Sequence, residues 1–179
     1  QHLDLACGTG TLLEMLMNWR QRRRLPQSHV TGVDYAESML AGARRRFRGR
    51  SDTQFEYADA AAMPFANNQF DTINIANAVH SLPNPQESLH ETFRVLKPGG
   101  TLAINVLLHP RGRGLLRTWA QRINAWGMRK GILYTPYEPE VVRQMLLDAG
   151  FQLRHEAIRG NCMYLMCRKP LPITDHALG

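Results

Sequence analysis

The 179-residue sequence has little cysteine, no long apolar run and no internal repeat. Its three cysteines, Cys7, Cys162 and Cys167, are odd in number and have no metal-ligand spacing. That argues against a disulfide framework and against a metal centre, and makes a reducing, cytoplasmic setting the default. Cys162 and Cys167 lie in an apolar, strand-like segment and read as buried small hydrophobes. No stretch approaches the roughly 18–20 apolar residues that a membrane-spanning helix needs. The start shows no signal-peptide pattern; the chain opens with Gln1 and enters a strand almost at once, which reads as a trimmed N-terminus. No low-complexity linker divides it, and the length suits one ordinary domain, 1–179.

Apolar residues make up 44% of the chain and charged residues 21%, a globular balance. The net charge of +7 is unevenly spread. Residues 20–50 hold nine arginines against Asp34 and Glu37, and residues 107–133 hold five arginines and Lys130 with no acid. Such segregation suits an anionic partner, but charge runs are most often solvated faces. Arg22–Arg24 and Arg44–Arg46 fall on or beside expected helices, with no aromatic interleaving and no RNA-binding motif. Nucleic acid is therefore not the expected partner.

Short β-branched or apolar runs alternate with longer amphipathic stretches, which argues for an α/β fold with a largely parallel sheet. Strands are expected at 2–6, 29–34, 54–58, 70–76 and 101–107. Helices are expected at 11–23, 37–47, 87–95 and 138–149, with Lys97-Pro98-Gly99-Gly100 as a stop signal behind the third. Two last strands, 151–158 and 162–168, are close enough to be antiparallel neighbours. Between them and the fifth strand lies an unusually long stretch, 107–136. Leu115, Leu116, Trp119, Ile123 and Trp126 recur there at helical spacing, with Arg117 and Arg122 elsewhere.

Open α/β sheets bind ligands outside the carboxyl ends of their strands. After the first strand comes Asp4-Leu5-Ala6-Cys7-Gly8-Thr9-Gly10, whose glycines let the backbone turn sharply and approach a ligand. The third glycine of a dinucleotide fingerprint is replaced by Leu13, which weakens a nicotinamide reading. Asp34, at the end of the second strand, suits two ribose hydroxyls, although alone it equally suits a helix cap. Asp59 and Ala60, at the end of the third, suit an exocyclic amine and a flat ring. Tyr35 and Met39 are placed to sandwich that ring or to pack in the core.

The strings LDLACGTG, YAESML, ADAAAMPFANNQFD, RVLKPGG and YTPYEPEVVRQMLLDAGF, in this order and spacing, resemble the class I S-adenosylmethionine-dependent methyltransferases. The likeness is greatest to the ubiquinone/menaquinone-biosynthesis C-methyltransferase-like group. It implies a Rossmann-like doubly wound sheet, mostly parallel with an antiparallel last strand and helices on both faces, and S-adenosyl-L-methionine as cofactor. It implies that Asp4, Ala6, Gly8 and Gly10 line the methionine part of the cofactor with Thr9 nearby. Asp34 would hold the ribose, Asp59 and Ala60 would meet the adenine, and Ala76 and Asn77 would face the methionine amino group or sulfonium. The family often has glycine where Ala6 stands. The exit of the fourth strand, NAVHSL, departs from that of the quinone enzymes, so the acceptor stays open.

Methyl transfer from such a donor is an in-line displacement governed by alignment and exclusion of water. A base is needed only if the acceptor must lose a proton. His80, after the fourth strand, is the first candidate and His109, after the fifth, the second; Tyr134 and Tyr137 are placed to orient an acceptor. The stretch 107–136 reads as a lid, as an ordinary packed helix, or, through 111–130, as a peripheral contact with a membrane surface. The expected activity is methyl transfer to a small-molecule acceptor, lipophilic or aromatic. A nucleic-acid or protein methyltransferase, and a cofactor-binding module without turnover, are the alternatives.

Overall fold

The computed structural model describes residues 1–109 and 136–172. Among them run β1 (His2–Leu5), α1 (Thr11–Arg22), β2 (Val30–Asp34), α2 (Glu37–Arg46), β3 (Thr53–Tyr57), β4 (Phe70–Ala76), a 3-10 turn (Val79–Ser81), α3 (Pro85–Val95), β5 (Leu96–Leu107), α4 (Pro139–Asp148), β6 (Gln152–Arg159) and β7 (Cys162–Arg168). The strands form one sheet in the order β3-β2-β1-β4-β5-β7-β6. β3, β2, β1, β4 and β5 pair in parallel, and β7 enters antiparallel between β5 and β6. The chain moves outward from β1 to β3 and then resumes on the other side of β1 with β4. The switch point therefore lies between β1 and β4.

The two faces of the sheet differ. One carries Leu3, Leu5, Ile73, Ile75, Leu102, Ile104 and Leu165, which join Leu89 and Val95 of α3 and Val142 and Leu146 of α4 in the main core. α3 starts on Pro85 and α4 on Pro139, where a missing N–H costs nothing. On the other face α1 buries Leu13 and Met17, one turn apart, against Val30, Phe47 and Phe55. The core under that face is small, and Gly32, which pairs with Phe55, leaves room for the ring.

Three features differ from the sequence reading. The Lys97–Gly100 segment follows α3 without a break, but as part of β5: Phe70 faces Leu96 and Thr72 faces Thr101, so the residues between bulge out of register. Gly99 N–H donates to the Lys169 carbonyl at 2.8 Å and Lys169 N–H returns to Gly100 at 3.1 Å. Pro98 and Gly99 stop the helix, yet a strand bulge accommodates both, with Gly99 in the left-handed region (φ 73). Cys167 is buried as a small hydrophobe, whereas Cys162 is half-buried and accepts a hydrogen bond from Asn105 Nδ2 at 3.5 Å. The second arginine run is only partly a solvated face. Arg44 pairs with Glu37 at 2.5 Å and Arg46 with Glu14 at 2.6 Å.

Candidate functional site

The carboxyl ends of β1, β2, β3 and β4 share one edge of the sheet, and Asp4, Ala6, Gly8, Thr9, Gly10, Asp34, Asp59, Ala60, Ala76 and Asn77 lie at or just past those ends. β1 stops because Ala6 turns into the left-handed region (φ 56); Gly8 (φ 55) and Gly10 (φ 73) follow. Cys7 N–H still donates to Val33 at 2.9 Å, and Gly10 N–H closes the turn on Cys7 at 2.9 Å. No atom comes within 4 Å of the place a β-carbon on Gly8 would take, so the front of the turn opens outward. On Gly10 that carbon would stand 2.7 Å from the Phe47 ring. Thr9, half-buried, gives its carbonyl to Arg46 Nε at 2.9 Å, which ties α2 to the turn.

Asp34 crosses from β2 to this turn. Its Oδ2 accepts Gly8 N–H at 2.8 Å and its Oδ1 accepts Ala36 N–H at 2.9 Å. Each oxygen keeps a free lone pair, so the half-buried carboxylate is held in place yet can accept two hydroxyls. Asp4 sits beneath the turn, 3% exposed, with Oδ1 accepting from Asn74 Nδ2 at 2.8 Å. Burial pushes its carboxyl up to about 6, against the Asn74 hydrogen bond and with help from the Asp34 charge. Asn74, the register partner of Asp4 on β4, carries no sequence signal beyond its place in a strand.

Past β3, Asp59 is exposed and folds one oxygen back onto Ala61 N–H at 2.9 Å, with Ala60 buried beside it. Tyr35 and Met39 are 67% and 45% exposed, so neither is a core residue. Tyr35 instead stacks on Tyr57 at 5.3 Å and 30°. Tyr57 was not among the residues picked from the sequence; its place at the end of β3, two before Asp59, was the available signal.

Past β4, Ala76 is half-buried and Asn77 exposed at φ 52. Three residues on, His80 is 8% exposed and its Nδ1 is buried with no hydrogen-bond partner among the described residues. Burial lowers its pKa. His109 is exposed, and its backbone N–H donates to the Tyr137 carbonyl at 3.0 Å. Tyr137 is half-buried, and burial raises its phenol. Tyr134 and 111–130 lie outside the described residues.

An open-fronted turn, a pinned carboxylate with spare acceptor capacity, exposed tyrosines at the exits of β2 and β3 and the exposed Met39 thioether on α2 suit a nucleoside with a charged tail.

Comparison with known proteins agrees. Residues 3–104 match the family model described as a methyltransferase domain. The chain is 36% identical over 172 residues to a demethylmenaquinone methyltransferase of Thermus thermophilus, covering 87% of this chain and 76% of that protein. It is 38% identical over 105 residues to a ubiquinone/menaquinone biosynthesis C-methyltransferase of Roseobacter denitrificans, covering 57% of this chain and 40% of that one. A putative methyltransferase from Bacillus halodurans shares the fold with a TM-score of 0.74 at 20% identity, over 94% of this chain and 92% of that chain. The chain belongs to the methyltransferase-domain family, and with it to the class I S-adenosylmethionine-dependent methyltransferases.

Proposed function

We propose that this protein methylates a lipophilic, hydroxylated aromatic small molecule of the quinol type, at a ring carbon. The observation that carries the cofactor half is the Asp34 carboxylate, bound by Gly8 and Ala36 and still able to accept. The acceptor half is supported by the likeness to quinone-pathway methyltransferases across most of this chain.

When bound, S-adenosylmethionine supplies a methyl group already activated on sulfur. Asp34 would accept from the two ribose hydroxyls, and Asp59 from the adenine amine. Tyr35, Tyr57 and Met39 would hold the ring. Ala6, Gly8, Thr9 and Gly10 would present backbone to the methionine end, together with Asp4, Ala76 and Asn77. His80, kept neutral by burial, would take the acceptor's hydroxyl proton and so raise electron density at the neighbouring ring carbon. The side chains need supply little else, because alignment and exclusion of water carry most of the rate.

Trp119 and Trp126 with Arg117 and Arg122, in 111–130, support a peripheral contact with anionic membrane, where lipophilic acceptors reside. No helix among the described residues is long and apolar enough to cross a membrane. Flotation of the protein with anionic vesicles tests this contact: wild type should float, the Trp119→Asp, Trp126→Asp double variant should not, and equal behaviour removes the idea.

Isothermal titration with S-adenosylhomocysteine, then transfer of labelled methyl to quinols, phenols, amines and RNA, tests the whole reading. The expected result is binding that falls about 100-fold in Asp34→Ala, through loss of a charge-assisted bidentate contact, with label on a ring carbon of a quinol. Label on RNA or protein, or binding with transfer to no acceptor, overturns it.

A further inference from the structure

We infer that Asn105 is a positioning residue for the methionine end of the cofactor, acting through Asn77. The inference rests on the cofactor site proposed above. β4 ends at Ala76, and Asn77 immediately adopts φ 52, a conformation that residues with a β-carbon avoid and asparagine tolerates best. Asn105, the register partner of Ala76 on β5, reaches across this exit. Its Oδ1 accepts Asn77 N–H at 3.1 Å, and its Nδ2 donates to Asn77 Oδ1. The second Nδ2 hydrogen goes to Cys162 Sγ on β7 at 3.5 Å.

The contacts determine how the amide sits. Rotating it by half a turn would set N–H against the Asn77 N–H and carbonyl against carbonyl, so only one orientation is satisfied. Three strands thus contribute to one clamp on the residue where β4 leaves the sheet. The clamp holds Asn77 by backbone and side chain together, and consumes the Asn77 side-chain oxygen. The Asn77 side-chain Nδ2 is then the donor available to a ligand carboxylate, and the Asn77 backbone carbonyl is fixed as an acceptor for a ligand ammonium. Asn77 stands two residues before the turn Val79–Ser81 that carries His80. An aliphatic residue at 105 would satisfy a strand between Ile104 and Val106 equally well and would leave Asn77 unheld.

The test compares two probes on the intact chain, S-adenosylhomocysteine and adenosine, by isothermal titration. Adenosine lacks the methionine end, so it reports the Asp34 and Asp59 side alone. Asn105→Ala is expected to weaken adenosylhomocysteine about tenfold, the scale of losing a hydrogen-bonded hold, and to leave adenosine within about twofold. The double variant Asn77→Gly, Asn105→Ala should recover part of the loss, because glycine takes the left-handed conformation unaided. Asn105→Asp, isosteric and still an acceptor for Asn77 N–H, should fall between wild type and Asn105→Ala and serves if the alanine variant does not fold. Unchanged adenosylhomocysteine binding, or equal losses for both probes, overturns the clamp. Wild type that binds neither probe overturns the cofactor site and the clamp with it.

Discussion

Gly8 and Gly10 stand in one turn and are needed for different reasons. A β-carbon on Gly8 meets no atom of the chain, so Gly8→Ala should cost stability only about 1 kcal/mol, from the left-handed φ. It should weaken adenosylhomocysteine tenfold or more by filling the front of the turn. Gly10→Ala adds a clash with Phe47 to the same backbone strain and should cost about 2–4 kcal/mol. Thermal denaturation and titration on the two variants would separate these effects; equal behaviour would mean the turn faces no ligand. The sequence marks both glycines as turn residues but not which one faces outward, because that depends on Phe47, 37 positions away. His80 is a second case. Its place after β4 is legible, whereas its unpartnered Nδ1 follows from how the turn packs. With a pKa lowered by burial, His80 is neutral at neutral pH and gains a proton as pH falls below its ordinary range. The acid limb of kcat/KM for the acceptor should therefore lie below 6.5 and vanish in His80→Gln, with kcat down about 10²-fold. Adenosylhomocysteine affinity should hold. A limb that survives the substitution assigns the base elsewhere.

Between elements, the link that matters most is the one from α2 to the glycine turn. Arg46 holds the Thr9 carbonyl at 2.9 Å and Glu14 of α1 at 2.6 Å, while Arg45 makes no such contact among the described residues. Both partners of the ion pair are partly exposed, so Arg46→Ala should cost at most about 1 kcal/mol. Its effect on adenosylhomocysteine binding should be severalfold, and Arg45→Ala should show neither. If the two variants match in titration, the tether is incidental. A run of three arginines looks like a solvated face because helix spacing exposes only contacts three or four residues apart. Glu14 is 32 residues from Arg46, and only the packing of α1 beside α2 brings them together. The Lys97–Gly100 segment shows the same limit. Proline and glycine reveal where α3 must end, but the pairing with Lys169 that makes the segment a strand is set from the other end of the chain.

For the whole molecule, the alternation of short strands with amphipathic helices, and the hairpin-like spacing of the last two strands, made a largely parallel α/β sheet with an antiparallel end readable in advance, and the family resemblance implied that it is doubly wound. The strand order then fixed the site's edge. What could not be read were the cross-strand polar partners, Asn74 under Asp4 and Asn105 over Asn77, since register depends on the assembled sheet. Those burials also shape stability against pH. Asp4, raised from 3.8 to about 6, binds its proton more tightly in the fold, so its contribution declines as pH rises through that window. His2, lowered from 6.5 to about 4 by burial and then by Arg20, does the reverse: its contribution is present above 6.5 and is lost as pH falls toward 4. The two slopes oppose, and wild-type Tm should be nearly flat between pH 4 and 6. Asp4→Asn should expose the His2 slope, with Tm climbing over that range and a gain of about 3 kcal/mol at most at pH 7.5. A wild-type Tm that climbs as steeply would show that Asp4 ionises freely.

Because β7 lies inside the order of strands and β6 outside it, β6 is synthesised first yet has no seat until its successor arrives. A nascent chain halted before Cys162 would leave Thr101–Leu107 with an unpaired rim of backbone and the apolar Leu102, Ile104 and Val106 within reach of any other extended polypeptide. Premature termination in this short window should therefore yield aggregates and not a smaller working protein.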